Sequence, residues 1–221
     1  SLNNRLYPLF YPSMANDGDS SEASPTPRQI AENILSVPFG NKRFSDWIAS
    51  KLSTYSMCES DLAAYREAVN AGREPAHDDE VRIASLRRGI EKGKWLKALS
   101  ELIKRIAATD NPSIDDNDEK AMLQHAPSVM GHYAAEAQGK LSDYNEIIAD
   151  TVLVSRQAHE WDIDMSEARE RLEHLRTGSK TETDGLQAVQ SQLIDLRKSL
   201  RIPRAQQPRN QGPNDQRSAG H

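Results

Sequence analysis

Residues 144–175 read YNEIIADTVLVSRQAHEWDIDMSEARERLEHL, and their spacing decides the fold class. Tyr144, Ile147, Thr151, Val154, Ala158, Trp161, Met165, Ala168, Leu172 and Leu175 follow one another in alternating steps of three and four. Leu186, Val189, Leu193, Leu196 and Leu200 resume the pattern after a polar gap. A mean step of 3.5 residues holds one seam of a helix against a partner helix. The ladder is therefore read as an association seam. Its candidate oligomerisation residues are Ile147, Val154, Trp161, Leu172, Leu175, Leu186, Val189, Leu193, Leu196 and Leu200.

The gap itself has two readings. In one, Gly178 ends a helix within 176–185 and the chain turns back as a helical hairpin. In the other the helix runs on, because steps of four, three and four from Leu175 reach Ser179, Glu182 and Leu186 in register. Gly178 and Gly185 each cost about 1 kcal/mol relative to Ala inside a helix, which favours the turn.

Upstream, the same period recurs in shorter pieces. Thr26-Pro27-Arg28-Gln29 spells a helix start, with an N-cap Thr, Pro at the first helical position and Gln three residues after the cap. Pro38 and Gly40 stop that helix. Phe44, Trp47, Ile48 and Leu52 line a second, and Leu62, Tyr65 and Val69 a third that ends at Gly72. A longer amphipathic stretch covers Val81 to Ala108, where Gly89 and Gly93 either break the helix or let a neighbour approach closely. Another helix starts near Asp118 and is expected to break at Pro127. No segment keeps a strand's alternation, so the chain is read as all-α: a helical core, a long C-terminal coiled-coil-like helix or hairpin, and extended arms at both ends. The expected divisions are an arm over 1–25, a core over 26–140, a coiled-coil-like region over 141–202 and a basic tail over 203–221.

Composition agrees with an elongated molecule. Of 221 residues, 28% are charged and 5% aromatic, which is little apolar matter for so much surface. Net charge is −5, yet from Leu196 onward six basic residues face one acidic residue, so the remaining 195 carry −10. The single cysteine, Cys58, excludes an internal disulfide framework. It fits a reducing, intracellular setting: cytoplasm, or a virion. No apolar run is long enough to span a membrane, and Ser1 to Pro12 is too interrupted by proline for a signal-peptide core.

Each constellation with a catalytic or metal-binding look fails on spacing. His159-Glu160 opens like a zinc-protease helix, but Ile163 stands where the second His belongs. Asp115-Asp116-Asn117-Asp118-Glu119 would need Gly and Glu where Lys120 and Ala126 stand to bind calcium. It reads instead as charge at a helix N-terminus. Gly89 to Gly93 lacks the Lys-Ser/Thr of a phosphate loop. No cofactor, metal or catalytic residue is assigned, and the chain is read as a non-enzyme.

Two surface features remain. Eight basic residues fall between Arg82 and Arg105 against Glu91 and Glu101. Arg87, Arg88, Lys92 and Lys94 there, with Arg197, Arg201 and Arg204 near the end, are candidate contacts to nucleic-acid phosphates, RNA among them. Leu6, Tyr7, Leu9, Phe10 and Tyr11 form an apolar patch costly to leave in water, expected to dock in a hydrophobic groove of a neighbouring subunit or partner, with folding back on its own subunit as the alternative. Together these point to a structural self-assembly protein of coat or nucleocapsid type, partnered by itself and by nucleic acid. A coiled-coil adaptor that recruits proteins is the second reading.

Overall fold

The structure is a computed structural model, and it describes residues 23–72, 77–160 and 164–206. Five helices are described: α1 (Pro27–Ser36), α2 (Phe44–Asn70), α3 (His77–Ala107), α4 (Asn117–Glu160) and α5 (Ser166–Ser199). One two-residue antiparallel pair, β1 (Pro38–Phe39) with β2 (Lys42–Arg43), turns the chain between α1 and α2. The fold is all-α. The patch from Leu6 to Tyr11 lies outside the described residues, and so does Trp161.

Local sequence sets the helix ends as expected. Thr26 Oγ1 accepts from Gln29 N at 3.2 Å while Gln29 Oε1 accepts from Thr26 N at 2.9 Å, closing a capping box in front of Pro27. Before α4, Asp116 Oδ1 accepts from the backbone N–H groups of Asp118 and Glu119 at 2.7 and 3.2 Å. The acidic run is an N-terminal cap, not an ion loop.

The helices pair as two antiparallel hairpins. In the first, α3 passes α2 so closely that a Cβ on Gly89 would lie 2.7 Å from Cys58 Sγ, and one on Gly93 2.9 Å from Tyr55 Cβ. The two glycines thus mark a close crossing inside one continuous helix. α2 is also continuous through Ser53 to Cys58, where the sequence was read as two helices. Thr54 and Ser56 turn their hydroxyls back onto the carbonyls of Ser50 and Ser53, at 3.2 and 2.7 Å, so they do not compete with the helix.

The second hairpin, α4 with α5, corrects the sequence reading in three places. Its turn lies between Glu160 and Ser166, not within 176–185. α5 runs unbroken through that polar stretch because Thr177, Thr181 and Thr183 bond back to Glu173, Gly178 and Ser179, while Arg176–Glu173 and Lys180–Asp184 pair along its surface. α4 likewise runs through Pro127, which is buried between Leu123, Ala126 and Met130; packing there outweighs one lost backbone bond.

Apart from Leu62 and Ala158, the buried apolar residues lie where the two hairpins meet. One cluster joins Ile30 and Ile34 of α1, Phe39, Phe44, Trp47 and Ile48, Leu96 to Ile106 of α3, Leu123 to Ala137 of α4, and Leu186, Val189, Leu193 and Leu196 of α5, with Ile202 beyond. The core thus draws on both sides of the expected division at 140/141, which falls in the middle of α4. It is sealed by Phe39, whose ring fills the space where Gly185 has no side chain. A Cβ at Gly185 would stand 2.5 Å from Phe39 Cδ1, whereas one at Gly178 would meet nothing within 4 Å. Two opposite outcomes follow for one chemical change. Gly178→Ala should raise stability by about 0.5–1 kcal/mol through helix propensity alone. Gly185→Ala should lower it by about 1–2 kcal/mol, because overpacking against a rigid ring exceeds the same propensity gain. Chemical denaturation of the two variants beside the parent checks both signs.

Candidate functional site

Where α2 and α4 meet, aromatic and charged side chains form a shared node. Trp47, Lys51 and Tyr55 recur every four residues on α2 and so share one face. Trp47 stacks on Phe44 at 5.6 Å between ring centroids and meets the edge of Tyr133 from α4 at 5.3 Å. Its indole Nε1 donates to Glu182 Oε1 on α5 at 3.1 Å. Lys51 Nζ stands 5.6 Å from the Trp47 ring centre and 5.9 Å from that of Tyr133, within range of both ring quadrupoles. The hydroxyls of Tyr55 and Tyr133 are 2.7 Å apart. Burial pushes the Tyr133 phenol well above its ordinary value, and the Tyr55 hydrogen bond adds to the shift.

Next to this node a cleft of about 660 Å³ opens between α3 and α4. Trp95 comes from α3; Val129 and Tyr133 come from α4. The three are half-buried and form its apolar walls. Glu91 and Lys92 on one side, with His132 and Glu136 on the other, give it a charged, exposed rim. Among the described residues no group of His, Cys, Asp and Glu has the arrangement to hold a metal ion. What the cleft offers is recognition chemistry: flat aromatic faces, two carboxylates and a cation at one mouth. The spacing of Trp47, Lys51 and Tyr55 was visible in the sequence, but nothing there announced Tyr133 as their partner across 78 residues.

The basic residues do not converge. Arg87, Arg88, Lys92 and Lys94 are all exposed. Lys92 borders the α3/α4 cleft, Lys94 lines a groove between α2 and α3, and Arg87 lines another groove nearer the α2/α3 turn. Lys94 is also bonded to Glu91 at 3.4 Å. Arg197 leaves the set: it is buried in the last turn of α5, 6% exposed, and its Nε has no acceptor among the described residues. Arg201 and Arg204 are exposed. Arg201 holds a left-handed φ of 58°, the C′ position of a Schellman cap in which Ile202 N donates to Arg197 O at 3.0 Å.

The ladder divides in two. Leu186, Val189, Leu193 and Leu196 are buried inside their own chain, and Leu200 is half-buried against the core. Side chains already enclosed by α1, α3 and α4 offer no surface to a second copy, so for these residues the seam is intramolecular. Further along, the α4 face turned to α5 is Tyr144, Ile148, Thr151, Ser155 and Ala158, buried or half-buried. It keeps Tyr144, Thr151 and Ala158 of the expected seam but takes Ile148 and Ser155 in place of Ile147 and Val154, which stay 45% and 47% exposed. Leu172 is half-buried, and Leu175 is exposed.

Compared with family models, curated proteins and solved structures, the chain matches none. Among the described residues no helix is long and apolar enough to cross a membrane.

The Tyr55–Tyr133 pair yields a measurable consequence. Tyr133→Phe should cost about 0.5–1.5 kcal/mol at neutral pH, the net worth of one hydrogen bond. The phenol's folded pKa is raised, so its contribution is complete below pH 10 and declines as pH rises, because the unfolded chain ionises first. Denaturation at neutral pH and at about pH 11 should therefore show a smaller alkaline loss in the Phe variant than in the parent.

Proposed function

We propose that this chain is a structural, non-enzymatic protein that assembles with further copies of itself through the outer half of the α4/α5 hairpin. The supporting observation is the segment Ile147-Ile148-Ala149-Asp150-Thr151-Val152-Leu153-Val154. Successive helical residues turn by about 100°. Ile148 and Thr151 face α5. Ile147 and Val154 lie to one side of that seam, Val152 lies to the other, and Leu153 points opposite, 77% exposed. A helix apolar on every side is a buried helix, and α5 covers one side only. Hairpins of this kind bury such residues by joining a second hairpin in a four-helix bundle. A second copy supplies the same apolar surface, as a two-fold contact requires.

The assembly test uses residues that the lone chain leaves exposed. Leu153→Asp with Val154→Asp should leave helix content unchanged, because neither side chain is in the core. It should remove association, since each buried aliphatic side chain contributes roughly 1.5–3 kcal/mol. Sedimentation over a concentration series should show the parent as more than one chain and the double variant as a single chain. A parent that stays single throughout overturns self-assembly and leaves the adaptor reading, in which another protein covers the same segment.

The coat-like part of this proposal concerns nucleic acid. Its support is the exposed cations of α3 (Arg87, Arg88, Lys92 and Lys94) with Arg201 and Arg204. Because Arg87 and Lys94 share one side of α3, Arg88 and Lys92 another, and Arg201 and Arg204 lie beyond α5, contact would follow phosphates without reading bases. Binding to single-stranded RNA should then weaken steeply between low and moderate salt and show little sequence preference. Absence of binding at low salt removes nucleic acid from the proposal and leaves the assembly surface intact.

A further inference from the structure

The α3/α4 cleft lies apart from the assembly surface, and its chemistry matches one segment of this chain. We infer that the cleft seats the chain's own N-terminal segment, Leu6-Tyr7-Pro8-Leu9-Phe10-Tyr11. Three observations carry this. The first is surface character: the walls are Trp95, Val129 and Tyr133, and the segment is aromatic and aliphatic between two prolines. A proline fixes its own φ and disfavours helix for the residue before it, so a sequence carrying Pro8 and Pro12 is biased towards an extended peptide. Aromatic-lined grooves take up extended, proline-containing peptides because little chain entropy remains to be lost.

The second is charge. Arg5 is the sole charged side chain in residues 1–16, and it stands next to the patch. Glu91 and Glu136 lie on opposite sides of the cleft rim, with Lys92 and His132 beside them. Glu91 is held by Lys94 at 3.4 Å, so the carboxylate that a segment bearing one cation would meet at this mouth is that of Glu136.

The third is reach. Arg28 in the first turn of α1 is paired with Asp110 just past the end of α3, so the chain enters the fold at that end. Trp95 lies about 20 Å back along α3 from there, at 1.5 Å per residue. Residues 12–22 extend to at most about 36 Å. The segment therefore reaches the cleft of its own chain with length to spare.

The test uses the full chain with Phe10→p-benzoylphenylalanine, irradiated in dilute solution, followed by mapping of the adducts by mass spectrometry. The inference expects adducts within single chains, on the peptides that contain Trp95 or residues 129–136. Adding Glu136→Lys, an exposed change, should lower their yield roughly two- to five-fold, the effect of an exposed ion pair. Glu170→Lys on α5, away from the cleft, should leave the yield unchanged. Adducts elsewhere on the chain, adducts only between chains, no adduct, or an equal loss from both charge changes would each overturn the inference.

Discussion

Phe39 sits in the notch that Gly185 leaves on α5, with ring atoms 2.5 to 2.9 Å from where a Cβ would be. No larger residue at 185 would let β1 lie so close to α5. Through that ring the short β turn is tied to Phe44 and Trp47, at 5.8 and 5.9 Å between centroids. Trp47 in turn contacts Tyr133 and donates to Glu182. The start of α2, the middle of α4 and the middle of α5 are thus aligned by one small aromatic stack. That alignment gives the α3/α4 cleft one of its walls. Burial of these rings also explains how a chain with only 5% aromatic residues holds two long hairpins together: many of its aromatics are concentrated at the joint.

The interactions that hold α5 change along its length. From Ser179 to Leu196 its inner face is buried at nearly every turn. From Ser166 to Gly178 none of its residues is buried, and the helix is carried by surface ion pairs and hydroxyls bonded back to the chain. Exposed pairs of that kind contribute less than about 1 kcal/mol each. At the far end, Arg201 adopts a left-handed φ that Gly would adopt without strain. The Schellman bonds around it let Ile202 fold back into the core, where it is 7% exposed. Burial of that side chain offsets the local strain.

Fold class and the starts of α1 and α4 were legible because they rest on local rules. Thr26 and Gln29 cap a helix whatever lies elsewhere, whereas Gly89 with Gly93 leave a break and a close approach open until contact with Cys58 and Tyr55 selects the second. The reversal between α4 and α5 was not legible. A period of 3.5 residues describes each helix of an antiparallel pair equally well, so the ladder ran across the turn without losing step. The same ambiguity misplaced two of the α4 seam positions, Ile147 and Val154: Ile147 and Ile148 are equally apolar, and only contact with α5 selects Ile148. The cleft was illegible for another reason. Its walls come from α3 and α4, and no local pattern encodes which face of one helix meets which face of the other. Arg197 reads as a phosphate-contacting cation because the basic segment begins beside it, yet helical phase places it on the same inward side as Leu193.

Burial stops at Ala137 on α4 and begins again only at Ala158, while its partner α5 contributes nothing buried before Ser179. Over that interval the two helices hold each other through half-buried residues on one face. Regions with few buried apolar contacts are the first to open in a native protein. The outer hairpin is therefore a part of low stability in the described fold, and it carries five of the eight exposed large apolar residues among those described. Those two properties are linked by mass action. A partner that binds only the ordered hairpin stabilises that form in proportion to its own free concentration. If the partner is a second copy, ordering of the outer hairpin and association are one equilibrium. The inner core, whose buried residues need no partner, should remain folded on either side of it.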